Sequence, residues 1–179
     1  MGKTKYLLTI DPGTKRLGWA IFEFDYRFKI PKVCLYRSGF IAESSKTKDW
    51  IERIDLMTKQ ILGICQNLIF YSSEIKILIE LPTNFAGSSK GAAALNSGSV
   101  GKLMACVFQL KGAISHVFPS FDIQLISVRT WKGNVPKTIT EKRILKYWGR
   151  KGKVNDESDA IGIGDWYIRN ILKYQPIKS

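Results

Sequence analysis

The stretch YLLTIDPGTKRLGWAIFE, residues 6–23, predicts how the chain begins to fold. Its first apolar run ends at a lone carboxylate, Asp11, and the turn residues Pro12 and Gly13 follow at once. A second apolar run begins at Leu17, so the two runs are predicted to form an antiparallel hairpin. A carboxylate at the end of a buried strand needs a partner, so Asp11 either starts a turn or lies beside a positive charge.

The rest of the pattern predicts an α/β fold with a five-stranded mixed sheet flanked by helices. Three strands form an antiparallel meander, and two further strands each follow a helix, so that crossover connections make them parallel. We predict strands at residues 5–11, 17–25, 33–41, 75–81 and 123–128, and helices at 48–70, 102–117, from Thr138 or Thr140, and 155–172. No repeat or linker divides the sequence, so residues 1–179 are expected to form one domain.

The chain is strongly basic, with 28 Lys and Arg against 15 Asp and Glu and a net charge of +13. Such a charge favours a polyanionic partner, most simply nucleic acid, with general solubility as the alternative. Lysines are concentrated between Lys132 and Lys153 and at the C-terminus, which favours the first interpretation. No apolar run is long enough to span a membrane and none resembles a signal peptide, so we expect a cytoplasmic protein that binds no membrane.

The cysteines and the single histidine do not favour thiol or imidazole catalysis. Cys34, Cys65 and Cys106 are far apart and lie among apolar residues, which predicts buried free thiols rather than disulfides or a zinc site. His116 lies in the apolar stretch AISHVF and is predicted to be a packed structural residue. Any catalysis is therefore expected to depend on carboxylates.

Four acidic side chains fall where a carboxylate is expensive to bury. Asp11 ends the first strand, Glu80 lies near the end of the fourth in ILIELP, and Asp156 and Asp159 begin the last helix in NDESDAIGIG. Parallel pairing of strands one and four would bring Asp11 and Glu80 to one edge of the sheet, and Asp156 and Asp159 share one helix face. No basic residue nearby in the sequence is placed to neutralise all four.

Two divalent cations would neutralise such a cluster, and oxygen-only ligands favour Mg²⁺ or Mn²⁺ over zinc. Two ions about 4 Å apart suit an in-line attack of water on a phosphodiester, one lowering the pKa of the water and the other stabilising the leaving 3′ oxygen. Each acid also has a simpler interpretation: Asp11 as a turn residue, Glu80 as an edge-strand charge, and Asp156 with Asp159 as acids favoured at a helix N-terminus. Glu157, in the same helical turn, is the better candidate for that last role.

The segments TIDPGTKRLGWAIFE, ILIELP and DESDAIGIG resemble, in this order and at fitting distances, the motifs of the RuvC Holliday-junction resolvases of the RNase H-like superfamily. In that family the first strand carries Asp in I-D-P-G-(S/T)-x-x-x-G-(W/Y), a second acid lies in an I-E pair, and the last helix carries D-x-x-D-A. The resemblance spans almost the whole chain. It implies an RNase H-like fold with Asp11, Glu80, Asp156 and Asp159 as catalytic and metal-binding residues.

The same resemblance implies an endodeoxyribonuclease that nicks four-way junctions and related branched DNA, leaving 5′-phosphate and 3′-hydroxyl ends and so resolving recombination intermediates. It implies two Mg²⁺ ions in each active site, with Mn²⁺ able to substitute, and a homodimer that cuts two strands symmetrically. Virus-encoded members accept a broader range of branched DNA, and this chain could be one of them.

Four residues match DNA-binding positions of the family. Phe85 is the nearest match to an aromatic residue that stacks on bases, although it lies a couple of residues late and could instead pack on the core. Lys132 and Lys142 best match lysines beside the scissile phosphate, and Lys137 could substitute for either of them. The helix at 102–117 is equally compatible with a dimer surface and with the core.

Other classes remain as alternatives. Actin-like ATPases and sugar kinases share a D-x-G-T turn but need two lobes and a much longer chain. NSGSVGKL, residues 96–103, faintly resembles a Walker A loop but lacks its first Gly and its Ser/Thr. A non-catalytic junction-binding protein would keep the charge, but uncovered acids would weaken its binding to DNA. An RNase H-like nuclease acting on a replication fork or an RNA–DNA hybrid would share these motifs.

Overall fold

The computed structural model describes residues 4–28, 31–43, 49–72, 74–82 and 98–174. Its strands are β1 (Thr4–Asp11), β2 (Arg16–Asp25), β3 (Lys32–Ala42), β4 (Ile75–Leu81) and β5 (Asp122–Ser127). Its helices are α1 (Trp50–Ile69), α2 (Ser99–Val117), α3 (Val128–Trp131), α4 (Lys137–Trp148) and α5 (Asn155–Trp166). A π-helical turn, Tyr167–Ile171, continues α5.

The strands form one mixed sheet in the order β3-β2-β1-β4-β5. β2 pairs antiparallel with both β1 and β3, whereas β4 pairs parallel with both β1 and β5. The predicted sheet, a meander followed by parallel crossovers, is therefore confirmed. Ile10 of β1 lies opposite Ile79 of β4, so the next residues, Asp11 and Glu80, reach the same edge of the sheet.

Helices cover both faces of the sheet, which explains why the central strands are continuously apolar. On one face, α1 and α2 pack on alternate residues of β1 and β4, including Leu8, Ile10, Ile77 and Ile79. On the other face, α4 and α5 pack on Leu7, Phe22 and Leu78. Asp11 and Glu80 are partly exposed at the ends of their strands, directly after the fully buried Ile10 and Ile79.

The helix predictions are close to the observed bounds. Asp49 caps α1, because its carboxylate accepts hydrogen bonds from the backbone N–H groups of Ile51 and Glu52 at 2.7 and 2.8 Å. The four-residue α3 was not predicted; it begins after Ser127, whose hydroxyl accepts from the N–H of Thr130. Within the described ranges, no helix combines the length and apolarity needed to cross a bilayer.

Two predictions about polar or reactive side chains are corrected. His116 is exposed, because the buried stripe of α2 runs through Val107, Leu110 and Ile114 and leaves position 116 on another side. Cys65 and Cys106 are buried free thiols as predicted, but Cys34 is exposed on β3. β3 is an edge strand in which only Val33 and Ile41 are buried, and Cys34 faces the opposite side of the sheet from its neighbour Val33.

Candidate active site

Two of the predicted acids meet at the carboxyl edge of the sheet. Asp11 is the last residue of β1, and Glu80 is the penultimate residue of the neighbouring parallel strand β4. The two carboxyl groups lie close enough for the charge of Glu80 to raise the pKa of Asp11. This is the juxtaposition that parallel pairing of the two strands requires.

The other two acids reach this edge because α5 lies directly on β1 and β2. Gly18 of β2 pairs with Asp11, and a Cβ atom at position 18 would collide with the backbone carbonyl of Asp156. One turn later, the hydroxyl of Thr9 donates to the carbonyl of Ala160 at 2.7 Å. Backbone contact therefore sets the height of α5 above the strands and places Asp156 and Asp159 beside Asp11.

The pKa values of the two strand acids show that negative charge converges here. Burial raises the pKa of Asp11 well above its ordinary value of 3.8, and the nearby charges of Glu80, Asp159 and Asp156 raise it further. Burial also raises the pKa of Glu80 to about 7, against the opposing effect of a hydrogen bond from Trp131. Such acids are costly in a purely structural setting, and raised values are typical of functional sites.

Protein donors hold three of the four acids. Arg16 Nε donates to Asp156 Oδ2, and Lys132 Nζ lies 2.8 Å from Asp159 Oδ1. The indole Nε1 of Trp131 donates to Glu80 Oε2 at 2.7 Å. The sequence prediction concerned basic residues nearby in the sequence and all four acids. Among the residues that the structure describes, only Asp156 and Asp159 are paired with cations, and these come from β2 and from the residue after α3, both distant in sequence from α5.

The chemistry of the donor set fits a hard divalent cation, since it consists of carboxylates with no thiol or imidazole among them. The arrangement of these carboxylates in the structure, however, does not yet form a metal site. Within the ranges that the structure describes, no three His, Cys, Asp or Glu side chains are grouped so that they could hold a metal ion. The pairing of Asp156 with Arg16 and of Asp159 with Lys132 gives a physical reason, because each cation occupies an oxygen that a metal would need.

Of the predicted DNA-binding lysines, two lie at the acidic cluster. Lys132 pairs with Asp159, and Lys137 Nζ lies 3.9 Å from the other oxygen of Asp159. Lys142 is exposed on α4. Phe85 lies outside the described residues.

The sequence interpretation missed Arg16 and Trp131. Arg16 is within the first motif, two residues before Gly18, and Trp131 directly precedes Lys132 in RTWKGN, so proximity to a motif was the available signal. Trp131 is buried, and its ring packs where a Cβ at Gly162 of α5 would lie. That close approach lets α3 deliver an indole N–H to Glu80.

Glu157 has a different environment from its two acidic neighbours on α5. It is buried, and its carboxylate accepts hydrogen bonds from the Ser38 hydroxyl and from the backbone N–H of Lys153, both at 2.7 Å. It thus ties the helix start to β3 and to the preceding loop, as expected of a helix N-terminal acid. It is not part of the cluster around Asp11.

Comparison with known proteins gives a clear result for the fold. No protein-family model matches the chain, and no curated protein matches it by sequence. The structure is similar to Thermus thermophilus RuvC in complex with Holliday junction substrate, with a TM-score of 0.60 and 16% identity over 96% of this chain and 99% of that chain. It is also similar to the Fowlpox virus resolvase in complex with Holliday junction DNA, with a TM-score of 0.53 and 16% identity over 93% and 99% of the two chains.

At these identities the similarity is one of fold. The predicted resemblance to RuvC-type resolvases is confirmed at that level, as is the RNase H-like architecture. The two chains compared are matched over nearly their full lengths, so the likeness does not rest on an isolated sheet motif.

Proposed function

We propose that the chain is a metal-dependent, structure-selective endonuclease that nicks Holliday junctions and related branched DNA and so resolves recombination intermediates. The observation that carries the proposal is the convergence of Asp11, Glu80, Asp156 and Asp159 at the carboxyl edge of a RuvC-like sheet. The choice of substrate is supported by two similar solved structures that contain Holliday junction DNA.

The four carboxylates would hold two Mg²⁺ ions, and Mn²⁺ would be expected to substitute because it accepts the same oxygen ligands. When bound, the ions would supply an activated water and stabilise the charge that develops on the leaving 3′ oxygen. Asp11 and Glu80 must be deprotonated to act as ligands, and the pKa of each group is raised by burial. Trp131 orients Glu80 by its hydrogen bond to Oε2, and the second oxygen, Oε1, would be the one to bind a metal ion.

The basic residues around the site suit the DNA backbone. Lys132 and Lys137 lie at Asp159, where a phosphate entering the site would come within their reach. Lys142, exposed on α4, would extend the positive surface, and Phe85 would stack on bases at the junction. The net charge of +13 supports binding to a polyanion over a larger area.

The proposed enzyme would act as a homodimer, so that two sites cut two strands. Part of α2 is core, but an opposite stripe formed by Gly101, Ala105, Phe108 and Gly112 is exposed, with Phe108 53% accessible. A Cβ at either glycine would meet nothing within 4 Å in the described residues, although glycine inside a helix costs about 1 kcal/mol relative to alanine. A closely packed second copy would explain both glycines.

Analytical sedimentation of the protein at micromolar concentration should give the mass of a dimer. A monomer at every concentration would contradict the proposed homodimer.

The decisive experiment compares nicking of a labelled synthetic four-way junction with that of a linear duplex, in Mg²⁺ and in EDTA. The parent chain should cut the junction in Mg²⁺ only. Asp11→Asn should still bind the junction but should not cut it. Equal cutting by parent and variant would remove Asp11 from the mechanism.

The same experiment distinguishes the other candidates. Preferential cutting of a fork or of an RNA–DNA hybrid would indicate an RNase H-like nuclease with another substrate. Tight junction binding by the parent, with no cutting in either Mg²⁺ or Mn²⁺, would indicate a non-catalytic junction-binding protein. The ion pairs that now occupy Asp156 and Asp159 are the feature that favours testing this last candidate.

A further inference from the structure

Arg16 connects two parts of the candidate site that are 140 residues apart in sequence. It begins β2, and its Nε donates to Asp156 in the first turn of α5. The side chains of Arg16 and Asp156 are 40% and 28% exposed, so the pair lies at the mouth of the site rather than within the core. Among the described residues, the two terminal nitrogens of the guanidinium make no further hydrogen bond to an acceptor.

We propose that Arg16 is a DNA-phosphate-binding residue that holds Asp156 until substrate arrives, so that DNA binding and metal binding promote each other. The proposal rests on the proposed function, because it assigns a role toward the same metal ions and the same DNA. Lys132 and Asp159 form a second pair of the same kind, and Lys132 is already a predicted DNA-binding residue. Arg16 occupies a position that the first-strand motif leaves unspecified, so the resemblance assigns it no role.

The chemistry of arginine supports this role. Its planar guanidinium binds a phosphate through two N–H groups at once, and it stays charged at every relevant pH. A phosphate at the mouth of the site would therefore compete with Asp156 for Arg16. Once released, Asp156 would be free to ligate a cation, and the free energy of that coupling acts equally in both directions.

Competition between Arg16 and a metal ion for Asp156 also explains why the four acids lie close together but, among the described residues, form no metal-binding group. If Asp156 is available only part of the time, the apparent metal affinity is lowered by that fraction. The pair is not needed to attach α5 to the sheet, because Gly18 and the bond from Thr9 to Ala160 already fix the helix. Exposed ion pairs contribute little to stability, which leaves Arg16 free to exchange partners.

The test measures Mn²⁺ binding by electron paramagnetic resonance on metal-stripped protein, without DNA and with a short linear duplex that a gel shows to be intact afterwards. Without DNA, Arg16→Gln should bind Mn²⁺ up to about fivefold more tightly than the parent, the factor that corresponds to a partly exposed ion pair. Lys15→Gln removes the same charge one residue away from an exposed side chain, and it should leave the affinity at the parent value. Adding the duplex should tighten Mn²⁺ binding to the parent more than to Arg16→Gln.

Each outcome is informative. Equal Mn²⁺ affinities for parent and Arg16→Gln, or equal tightening by Arg16→Gln and Lys15→Gln, would overturn the proposal, since only overall charge would then matter. Arg16→Lys should keep the parent's Mn²⁺ affinity without DNA. It should lose most of the increase in affinity that the duplex produces, because an ammonium group lacks the paired N–H groups with which a guanidinium binds a phosphate. If Asp156→Asn binds Mn²⁺ as tightly as the parent does, Asp156 is not a metal ligand, and the proposed function fails with the metal site.

Discussion

Glu80→Gln should make the folded chain more stable at neutral pH and leave it unchanged in mild acid. Burial raises the pKa of Glu80 from 4.5 to about 7, so the folded chain keeps a proton that the unfolded chain loses near pH 4.5. The folded state therefore binds more protons in this window, and the free energy of unfolding falls as pH rises through it. The difference between these two pKa values of Glu80 corresponds to a loss of roughly 3 kcal/mol in the free energy of unfolding, at about 1.4 kcal/mol for each pKa unit. Glutamine is neutral throughout and can still accept a hydrogen bond from Trp131.

The assay is urea unfolding followed by tryptophan fluorescence at pH 4.5, 6 and 7.5, in EDTA so that no metal stabilises the ionised form. The variant should match the parent at the lowest pH and exceed it by up to about 3 kcal/mol at the highest. Glu52→Gln, which removes an exposed carboxylate from α1, should follow the parent at every pH. Parallel profiles for Glu80→Gln and the parent would refute the idea that Glu80 is an unfavourably buried acid.

Three further changes test the construction of the site. Gly18→Ala places a methyl group against the backbone of Asp156 and should cost about 1–3 kcal/mol in urea unfolding, with loss of junction nicking; wild-type nicking would show that α5 can move without harm. Trp131→Phe keeps an aromatic ring but loses part of the buried indole together with the donor to Glu80, so it should cost about 1–3 kcal/mol and slow nicking, and an unchanged rate would make the bond dispensable. Phe85→Ala should weaken junction cleavage with unfolding unaffected, whereas a coupled loss of stability would identify Phe85 as a packing residue.

The sheet could be predicted because its signals are local. Apolar runs, turn residues and the alternation of strands with helices determine the order of elements, and crossover rules then make β4 a parallel neighbour of β1. The grouping of Asp11 with Glu80 follows from that topology alone. The approach of Asp156 and Asp159 needed one more assumption, namely that α5 crosses the same edge, and Gly18 makes that crossing sterically possible.

The partners of the acids could not be predicted in the same way. Arg16 and Trp131 reach Asp156 and Glu80 through contacts between residues 140 and 51 positions apart, and nothing in their local sequence specifies the direction of a side chain. His116 shows the opposite limit. Its apolar neighbours suggested burial, but on a helix burial depends on angular position, and residue 116 lies off the buried stripe.

The hydroxyl of Thr9 and the carbonyl of Ala160 are 151 residues apart, so the helix that carries Asp156 and Asp159 is synthesised long after β1. A ribosome releases the β1–β3 meander well before the helix that carries Asp156 and Asp159. Until that helix docks, the nascent polypeptide has only half of its carboxylates in place. On the proposed function, a nascent chain could not cut nucleic acid until α5 has been synthesised and has packed on β1 and β2.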